Sequence, residues 1–337
     1  MRRVLVPLSI APELPAPGSA VAQASGYTMG TTWQVQAVLA PAQAGLRESM
    51  AQQLQRQLDI IVAQMSHWES GSDLGRFNAA PAGSWHHLPS AFYKVLSYAL
   101  EVADASGGAY DPCAGALVNC WGFGAQRRYT EAGFYAPPAD IVHAILARED
   151  RARLKLDPAG RQALQPGGVQ LDLSSVAKGY GVDQLANCLE LNGVHHYLVE
   201  VGGELRGAGV KPDGGPWWVQ LEAVPDAGQQ LDTVAALHGL AIATSGDYRQ
   251  HFSYAGARAS HTLDPRTGYP IRNQVASVTV LHAECMAADA LSTALSVLGP
   301  EAGLRFAEAR KLAARFIVRT DGGLHEVTSS AFDDMLQ

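Results

Sequence analysis

The sequence predicts an α+β fold with mainly antiparallel sheets and packed helices. Strand-like segments do not alternate regularly with helical ones, as they would in a doubly wound fold. Several neighbouring strands are separated only by short turns rich in Gly, which indicates hairpins. The 337 residues, of which 47% are apolar, are enough to bury a substantial core in one or two domains.

Composition excludes some functional classes. The formal net charge of −7 gives no support for nucleic-acid binding, which requires a basic face. No apolar run approaches the length of a membrane span. The cysteines show neither a C-x-x-C pair nor zinc-site spacing, so we interpret them as small buried residues: Cys113, Cys120, Cys188 and Cys285.

Residues 1–25 are interpreted as a flexible leader or a weak signal-like segment. Arg2 and Arg3 precede the apolar run VLVPLSIA, as at the start of a signal peptide, and SAVAQA offers a cleavage site. Prolines interrupt the apolar stretch, and the segment has no Cys to carry a lipid. Residues 26–337 are assigned to a single domain.

The first half of the chain contains one predicted strand and three predicted helices. Residues Tyr27 to Leu39 have strand-like composition. Apolar residues at spacings of three and four predict an amphipathic helix from Leu46 to about Trp68. Further helices are predicted from Ser90 to Ala105 and near Ala139 to Arg148.

Two segments of this half carry candidate ligand contacts. After the first helix, Trp68, Arg76 and Asn78 are candidates, although a loop capped by Ser72 explains the same residues. The segment Gly107 to Gly124 combines glycines, which allow close approach of a ligand, with aromatic rings. It lacks the G-x-G-x-x-G spacing of a dinucleotide fold.

A short strand, Val169 to Leu173, is predicted to run into a helix that starts near Ser174 or Ser175 and ends at Asn192. A helix N-terminus after a strand can bind an anion. Lys178 in its first turn is placed to contact a phosphate, while an exposed Lys without function is the alternative.

The second half is predicted to hold several strands, a helix ending at Gly299, and then one more helix and a hairpin that turns at residues 321–323. Within the helix ending at Gly299, Asp289 and Thr293 stand four residues apart and share one face. Oxygen ligands of this kind suit a hard cation. The alternative is that Thr293 bonds back to the carbonyl of Asp289.

The loop Ser260 to Ile271, SHTLDPRTGYPI, is predicted to be rigid because two prolines restrict its backbone. Catalytic groups tend to lie on such loops. The alternative is a tight surface turn in which its Asp and Arg pair with each other. It follows ATSGDYRQHF, whose Tyr248 and Arg249 are further polar residues.

Eight motifs occur in order: YTMGTTWQV, SDLGRFN, GGAYDPCAGALVNCWGFG, LDLSSVAKGYGVDQLA, LVEVGGELRGAGVKPDGGPW, ATSGDYRQHF, SHTLDPRTGYP and MAADALSTAL. Together they resemble the ApbE family, the FAD:protein FMN transferases, over roughly residues 26 to 325. The resemblance implies a two-part α+β structure with an internal duplication.

The resemblance also implies an activity. Family members bind FAD as substrate and a divalent cation, usually Mg²⁺, and pass FMN to a Thr or Ser hydroxyl of an acceptor flavoprotein, releasing AMP. Two alternatives stay open: an FAD pyrophosphatase that yields FMN and AMP, and a non-catalytic flavin-binding protein. The resemblance favours the periplasmic face, whereas the poor leader leaves a cytoplasmic location open.

The motif match assigns roles to individual residues. The cation ligands would be Asp289, Thr293 and the carbonyl of Ala177. His261 would be the general base, because an imidazole titrates near neutrality. Lys178 and Arg266 would stabilise charge. The FAD contacts would be Met29, Trp68, Ala109, Tyr110, Asp111, Ser174, Tyr180 and Leu263.

Overall fold

The computed structural model describes residues 3–10, 13–126, 128–224, 232–247, 251–254 and 257–337. Its helices are Leu46–Met65 (α1), Asp73–Asn78 (α2), Ser90–Ala105 (α3), Gly115–Cys120 (α4), Ala139–Leu146 (α5), Asp150–Arg153 (α6), Ala177–Leu191 (α7), Cys285–Arg310 (α8) and Ser330–Asp333 (α9).

Its strands are Arg3–Leu5 (β1), Ala20–Thr28 (β2), Thr31–Leu39 (β3), Ser84–His87 (β4), Lys155–Asp157 (β5), Gln162–Gln165 (β6), Tyr197–Val201 (β7), Glu204–Ala208 (β8), Trp217–Gln220 (β9), Thr233–Leu237 (β10), Leu240–Gly246 (β11), His251–Tyr254 (β12), Ala257–Ser260 (β13), Leu263–Asp264 (β14), Tyr269–Pro270 (β15), Val275–His282 (β16), Ala313–Thr320 (β17) and Gly323–Thr328 (β18).

An eight-stranded sheet forms the centre of the fold, in the order β18-β17-β16-β11-β8-β7-β3-β2. Every neighbouring pair in it is antiparallel. Smaller sheets are β1-β10-β9 and β4-β6-β5, and two hairpins pair β12 with β13 and β14 with β15. The predicted α+β class with mainly antiparallel sheets is confirmed. The internal duplication stays a prediction.

Two helices, α7 and α8, hold the centre of the molecule together. They contact each other, while α7 also contacts α1, β7 and β8, and α8 contacts β11 and β16. Strand β7 alternates buried and partly exposed residues, with Tyr197, Val199 and Val201 buried. This alternation is what a sheet with one face against packed helices requires. The helices therefore present their first turns at a fixed position relative to the sheet.

The predicted single strand from Tyr27 to Leu39 is wrong, because the structure has a hairpin of β2 and β3 there. Thr28 pairs with Thr31, and the two turn residues Met29 and Gly30 have φ values of 48° and 73°. Positive φ at both central residues is the geometry of the tight turns that join antiparallel strands. The sequence Met-Gly is not among the usual Asn-Gly or Asp-Gly turn pairs, so the local sequence does not indicate this turn.

The predicted strand Val169 to Leu173 is also absent, apart from one isolated bridge between Ala114 and Gln170. The side chain of Asn78 donates to the carbonyl of Leu171 at 2.9 Å and accepts its N–H at 2.8 Å. A side chain therefore takes the hydrogen bonds that a neighbouring strand would otherwise make. For the same reason Asn78 is a structural residue rather than a ligand contact.

The predicted helix boundaries are confirmed with two adjustments. Helix α7 begins at Ala177 rather than Ser174 or Ser175, because the Asp172 carboxylate accepts the Ser174 N–H at 2.8 Å in the preceding turn. Helix α8 continues to Arg310, but Gly299, with φ of 79°, interrupts it at the predicted end. The C-terminal hairpin β17-β18 turns at the predicted place.

The described part of the segment 1–25, expected to be a flexible leader, contributes two strands. Residues Arg3–Leu5 pair in parallel with β10, the side chain of Leu5 is fully buried, and β2 already begins at Ala20. Within the described residues, no helix has the length and apolar character needed to cross a lipid bilayer.

Candidate functional site

A cavity of about 400 Å³ lies where the first turns of α7 and α8 meet the end of α1 and the loop after β13. Most of the predicted site residues line it. They are Met29, Trp68, Ala109, Tyr110, Asp111, Ser174, Ala177, Lys178, His261, Leu263, Asp289 and Thr293. Residues from five of the sequence motifs, together with Trp68, therefore converge on one cavity.

One wall of the cavity carries oxygen donors from α7 and α8. Asp289 is 4% exposed, and its Oδ2 accepts the backbone N–H of Gly179 at 2.9 Å. Thr293 lies one turn further along α8, and Ala177 is the first residue of α7. The predicted alternative partner of Thr293, the carbonyl of Asp289, instead accepts the Ser292 hydroxyl at 2.9 Å.

The donor set at this wall fits a hard cation such as Mg²⁺. Asp289, Thr293 and Ala177 line the cavity, and these residues contain a carboxylate, a hydroxyl and a backbone carbonyl, all of them types of oxygen ligand. Among the described residues, no group of three or more His, Cys, Asp or Glu side chains is arranged to hold a metal. Mg²⁺ is usually bound by one or two carboxylates together with substrate phosphates, so one carboxylate suits a site that a phosphate ligand completes.

Lys178 in the first turn of α7 faces the same cavity, and its ammonium donates to the carboxylate of Glu204. Glu204 is 1% exposed and is the first residue of β8, directly after the Gly202-Gly203 turn. The pair places a cation at the cavity wall and balances a buried carboxylate. The alternative of an exposed Lys178 without function does not fit this position, and Glu204 is a site residue that the sequence analysis did not single out.

His261 follows β13 and lines the cavity beside Phe123, whose ring lies edge-on at a centroid distance of 6.3 Å. A hydrogen bond from a buried side chain anchors the loop that carries His261. The indole N–H of Trp121 donates to the carbonyl of Gly268 at 2.7 Å. Gly268 has φ of 79°, and a Cβ there would come within 2.5 Å of Val142. A Gly is therefore required at this turn.

Arg266, predicted to stabilise charge, does not line this cavity. Its guanidinium forms two hydrogen bonds to the carboxylate of Asp264, at 2.9 and 2.8 Å, on the outer side of the loop. These hydrogen bonds raise the pKa of Arg266 above its ordinary value. The pairing of Asp264 with Arg266 that a tight surface turn predicts is therefore present, while His261 of the same loop lines the cavity.

The mouth of the cavity is formed by an exposed aromatic ring. Trp68 is 51% exposed, the guanidinium of Arg128 lies 5.3 Å from its ring centroid, and the imidazole of His67 lies 5.1 Å away. His67 also approaches the carboxylate of Asp172 at 3.7 Å. Trp68, His67, Arg128 and Asp172 all line the cavity, so its entrance is both aromatic and polar.

The floor of the cavity is buried and hydrogen-bonded. Tyr110 is 2% exposed, and its phenol oxygen lies 3.2 Å from the hydroxyl of Ser175. Burial raises the pKa of Tyr110, so the phenol stays neutral and can donate a hydrogen bond. Burial also raises the pKa of the Asp111 carboxyl, although the Cys113 N–H and Arg151 act in the opposite direction.

Several other predicted contacts lie elsewhere. Tyr180, predicted to contact FAD, is packed in the core and does not line the cavity. Arg76 pairs with Asp73 and with the carbonyl of Gly71, so it stabilises α2 instead of facing a ligand. Tyr248 and Arg249 lie outside the described residues.

The residues that the sequence analysis missed are linked to the site by contacts distant in sequence. His67 meets Asp172, Lys178 meets Glu204, and Arg128 meets Trp68. No local pattern predicts such pairs. The available sequence indications were the position of His67 beside Trp68 and of Glu204 directly after a strand-ending pair of glycines.

Comparison with known proteins identifies one family over nearly the whole chain. The model of the ApbE family matches residues 29–316. A Vibrio cholerae protein named FAD:protein FMN transferase is 36% identical over 312 residues, which are 93% of this chain and 92% of that protein. A Haemophilus influenzae protein of the same name is 36% identical over 93% of this chain and 91% of its own length.

Solved structures agree with the sequence relatives. The apo form of the Pseudomonas stutzeri flavinyl transferase ApbE is 38% identical and superimposes with a TM-score of 0.86 over 94% of this chain and 97% of that chain. The flavin transferase ApbE from Vibrio cholerae is 35% identical, with a TM-score of 0.84 over 94% and 99% of the two chains. On the match of its motifs, its fold and its relatives, the chain belongs to the ApbE family.

Proposed function

We propose that this chain is an FAD:protein FMN transferase that moves FMN from FAD to a Thr or Ser hydroxyl of an acceptor protein and releases AMP. One observation carries the proposal. A single cavity unites the imidazole of His261 with the oxygen donors of Ala177, Asp289 and Thr293. The names of the sequence relatives support the same reaction. Residues 26–337 are proposed to form the one domain that performs it.

Asp289, Thr293 and the carbonyl of Ala177 would hold a divalent cation, with Mg²⁺ as the expected ion. When bound, such a cation neutralises charge on the phosphates and so favours displacement at phosphorus. The chain's own residues keep these ligands in place. The N–H of Gly179 donates to Oδ2 of Asp289 and so holds the carboxylate at the cavity wall.

His261 accepts the proton of the acceptor hydroxyl. The hydroxyl oxygen forms a bond to the phosphorus on the FMN side of the pyrophosphate, and the bond from that phosphorus to the bridging oxygen breaks. The electron pair of that bond leaves with AMP. An imidazole suits the proton transfer because its ordinary pKa lies near neutrality.

The remaining cavity residues bind and orient FAD. Trp68 offers a half-exposed ring for stacking, and Met29, Ala109 and Leu263 provide apolar surface. The neutral phenol of Tyr110, the carboxyl of Asp111 and the hydroxyl of Ser174 provide hydrogen-bonding groups on the floor. Lys178, which lies next to Ala177, provides an ammonium group at the phosphate side, and the carboxylate of Glu204 holds it there.

The test incubates the purified chain with FAD and MgCl₂, with and without an acceptor domain that contains one target Thr. AMP release and the mass of the acceptor are followed together. AMP together with an acceptor heavier by one FMN supports the transferase. AMP with free FMN and an unchanged acceptor would indicate a pyrophosphatase instead. Intact bound FAD in both mixtures would indicate a flavin-binding protein.

The variant His261→Ala separates binding from transfer. It is expected to stop FMN transfer while FAD binding, measured by flavin fluorescence, stays within a few-fold of the original value. A collapse of FAD affinity in this variant would contradict the assigned role of His261 as the proton acceptor. Phe123→Leu serves as a matched control, because it alters the ring beside His261 without removing an ionisable group.

A further inference from the structure

A second cavity, of about 480 Å³, lies on the outer side of the loop that carries His261. The strand β14 separates the two cavities. Asp264 lines the second cavity, whereas its neighbours Leu263 and Pro265 line the first. A molecule bound in the second cavity would therefore lie one strand away from the proposed FAD site.

We propose that this second cavity docks an extended, acidic segment of the acceptor protein next to its target hydroxyl. This inference rests on the proposed transfer reaction. While FAD fills the first cavity, the acceptor must reach His261 from outside and must be held there by other contacts. The second cavity borders the same loop, so an acceptor seated in it has its neighbouring residues close to His261.

The aromatic side of the second cavity is packed against a buried hydrophobic cluster. Tyr254 and Tyr269 line it, and their rings pack edge-on against the fully buried Trp121 at centroid distances of 5.1 and 5.6 Å. No hydrogen bond within the described residues engages either phenol group. Two fixed aromatic rings with hydroxyls left for a partner lose little side-chain entropy on binding, which favours a protein interface.

The charge of the second cavity is positive. Asp264 is neutralised by its two hydrogen bonds with Arg266, whereas exposed Arg272 forms no ion pair with any described residue. Tyr and Arg are the residue types enriched at energetically dominant interface positions. Arg272 therefore selects an acidic side chain on the acceptor.

The negative net charge of the whole chain is compatible with an acidic partner at the second cavity. The chain carries a formal charge of −7, which would repel an acidic protein at long range. At physiological ionic strength exposed charges are screened beyond about 8 Å. The contact with Arg272 is made within that distance and is therefore the electrostatic interaction that an incoming acidic segment experiences most strongly.

The local backbone supports an extended partner. The hairpins β12-β13 and β14-β15 each contain two strands, and within the described residues neither has a third strand on its outer edges. An extended polypeptide can add to such an edge through main-chain hydrogen bonds while its side chains enter neighbouring pockets. The Tyr254, Tyr269 and Arg272 side chains lie beside these edges.

The test compares Arg272→Glu with the unmodified enzyme, using the full chain, FAD, Mg²⁺ and the single-Thr acceptor domain. A second acceptor has the Asp and Glu residues near the target Thr replaced by Lys. With the original acceptor, Arg272→Glu should raise the acceptor KM by about five- to thirty-fold, with the FAD KM unchanged. With the Lys acceptor, Arg272→Glu should be the better enzyme. Arg305→Glu, an exposed charge reversal on the second half of α8, should behave like the unmodified enzyme.

The outcomes separate this inference from the reaction on which it rests. Equal acceptor KM values for Arg272→Glu and the unmodified enzyme would overturn the docking site while the transferase assignment stands. A parallel loss of FAD affinity in Arg272→Glu would also overturn it, because Arg272 would then act on the first cavity. An unmodified enzyme that transfers no FMN to either acceptor would overturn the proposed function, and the docking site with it.

Discussion

The Oδ2 atom of Asp289 accepts the backbone N–H of Gly179 at 2.9 Å, and this contact joins α8 to the first turn of α7. Both helices contribute to the proposed cation site. The helices approach closely at this point, because a Cβ at position 179 would lie 2.4 Å from the carbonyl oxygen of Cys285 and 2.8 Å from the Cβ of Asp289. The same carboxylate thus links the two helices and lines the cavity.

The variant Asp289→Asn distinguishes the role of Asp289 in helix packing from its proposed role as a cation ligand. The amide oxygen can still accept the N–H of Gly179, so we expect the midpoint of thermal unfolding to change little. The negative charge is lost, so Mg²⁺-dependent AMP release should fall by at least about a hundredfold, since the proposed cation would lose its only carboxylate ligand. AMP release is measured across a Mg²⁺ titration, together with Mn²⁺ binding by calorimetry.

Asp289→Ala is the comparison variant that distinguishes loss of the cation ligand from loss of helix packing. It removes both the charge and the acceptor of the Gly179 N–H, so it should lower stability as well as activity. If Asp289→Asn kept full Mg²⁺-dependent activity, the proposed cation site would be wrong. If only Asp289→Ala lost activity, Asp289 would act through helix packing.

Gly179→Ala tests the close approach of the two helices. The new methyl group would collide with the Cys285 carbonyl, which is backbone and cannot move aside without displacing α8. Overpacking of this kind costs about 1–3 kcal/mol of unfolding free energy. Urea unfolding should show that loss, and FAD turnover should fall with it because the proposed cation ligands shift.

Gly45→Ala is the matched control for this substitution. A Cβ at Gly45 meets no atom within 4 Å, so the variant should be as stable as the unmodified chain or slightly more so. Equal unfolding free energies for the two variants would show that the close contact at Gly179 is not a constraint on the fold.

The contrast between Asp289 and Arg266 shows what the sequence can predict about the site. Asp289 and Thr293 stand four residues apart on a helix, and helical geometry alone places them on one face. Arg266 lies in a loop of the right motif, yet its side chain reaches Asp264, two residues away, and turns from the cavity. Local spacing thus predicts shared faces well, but it does not decide between competing partners in a loop.

Prediction of the fold from local sequence patterns has the same limit. Periodicity located α1 and α3 well, because their buried stripes follow from the sequence. It failed at Met29 and Gly30, where the turn depends on backbone conformation, and at Leu171, where the side chain of Asn78 replaces a neighbouring strand. The pairs His67–Asp172 and Lys178–Glu204 arise from tertiary packing, so no short-range pattern could have indicated them.

Trp68→Ala tests the proposed stacking at the cavity mouth. Trp68 is 51% exposed, so its removal should leave the unfolding free energy nearly unchanged. Loss of one stacking ring, worth about 1–3 kcal/mol, should weaken FAD binding by about tenfold. Flavin fluorescence titration measures the change. Trp68→Tyr should retain most of the affinity, since it keeps a ring at the same place.

Trp218→Ala is the control for Trp68→Ala. Trp218 on β9 is similarly exposed, at 47%, and does not line the cavity. It should bind FAD as the unmodified chain does. An equal effect of the two substitutions, or no effect of Trp68→Ala, would contradict stacking of FAD on Trp68.

Glu326 on β18 links the N-terminal strand to the central sheet. Its carboxylate accepts hydrogen bonds from Arg3, at 2.6 Å, and from Arg315, which is 3% exposed. Partial burial acts to raise the pKa of Glu326, but the hydrogen bonds from the two Arg residues outweigh it and lower the pKa below the ordinary value of 4.5. The ionised carboxylate is therefore stabilised in the folded chain.

The sign of the pH dependence follows from this lowered pKa. The stabilisation by Glu326 is fully present above pH 4.5 and is lost as the pH falls below that value through the pKa of the folded chain. In Glu326→Gln this contribution is absent, so stability at pH 7 should be lower, and its decline below pH 4.5 should be shallower than in the unmodified chain. Urea unfolding at pH 7, 5, 4 and 3 measures both effects.

The control for this experiment is Glu301→Gln, which removes an exposed carboxylate near the start of the second half of α8. Its pH profile should follow that of the unmodified chain. Since Arg3 belongs to β1, Glu326→Gln should also speed up hydrogen exchange at the backbone N–H groups of residues 3–5. A profile of Glu326→Gln with the same slope as the unmodified chain below pH 4.5 would show that the ion pairs of Glu326 contribute nothing to acid stability.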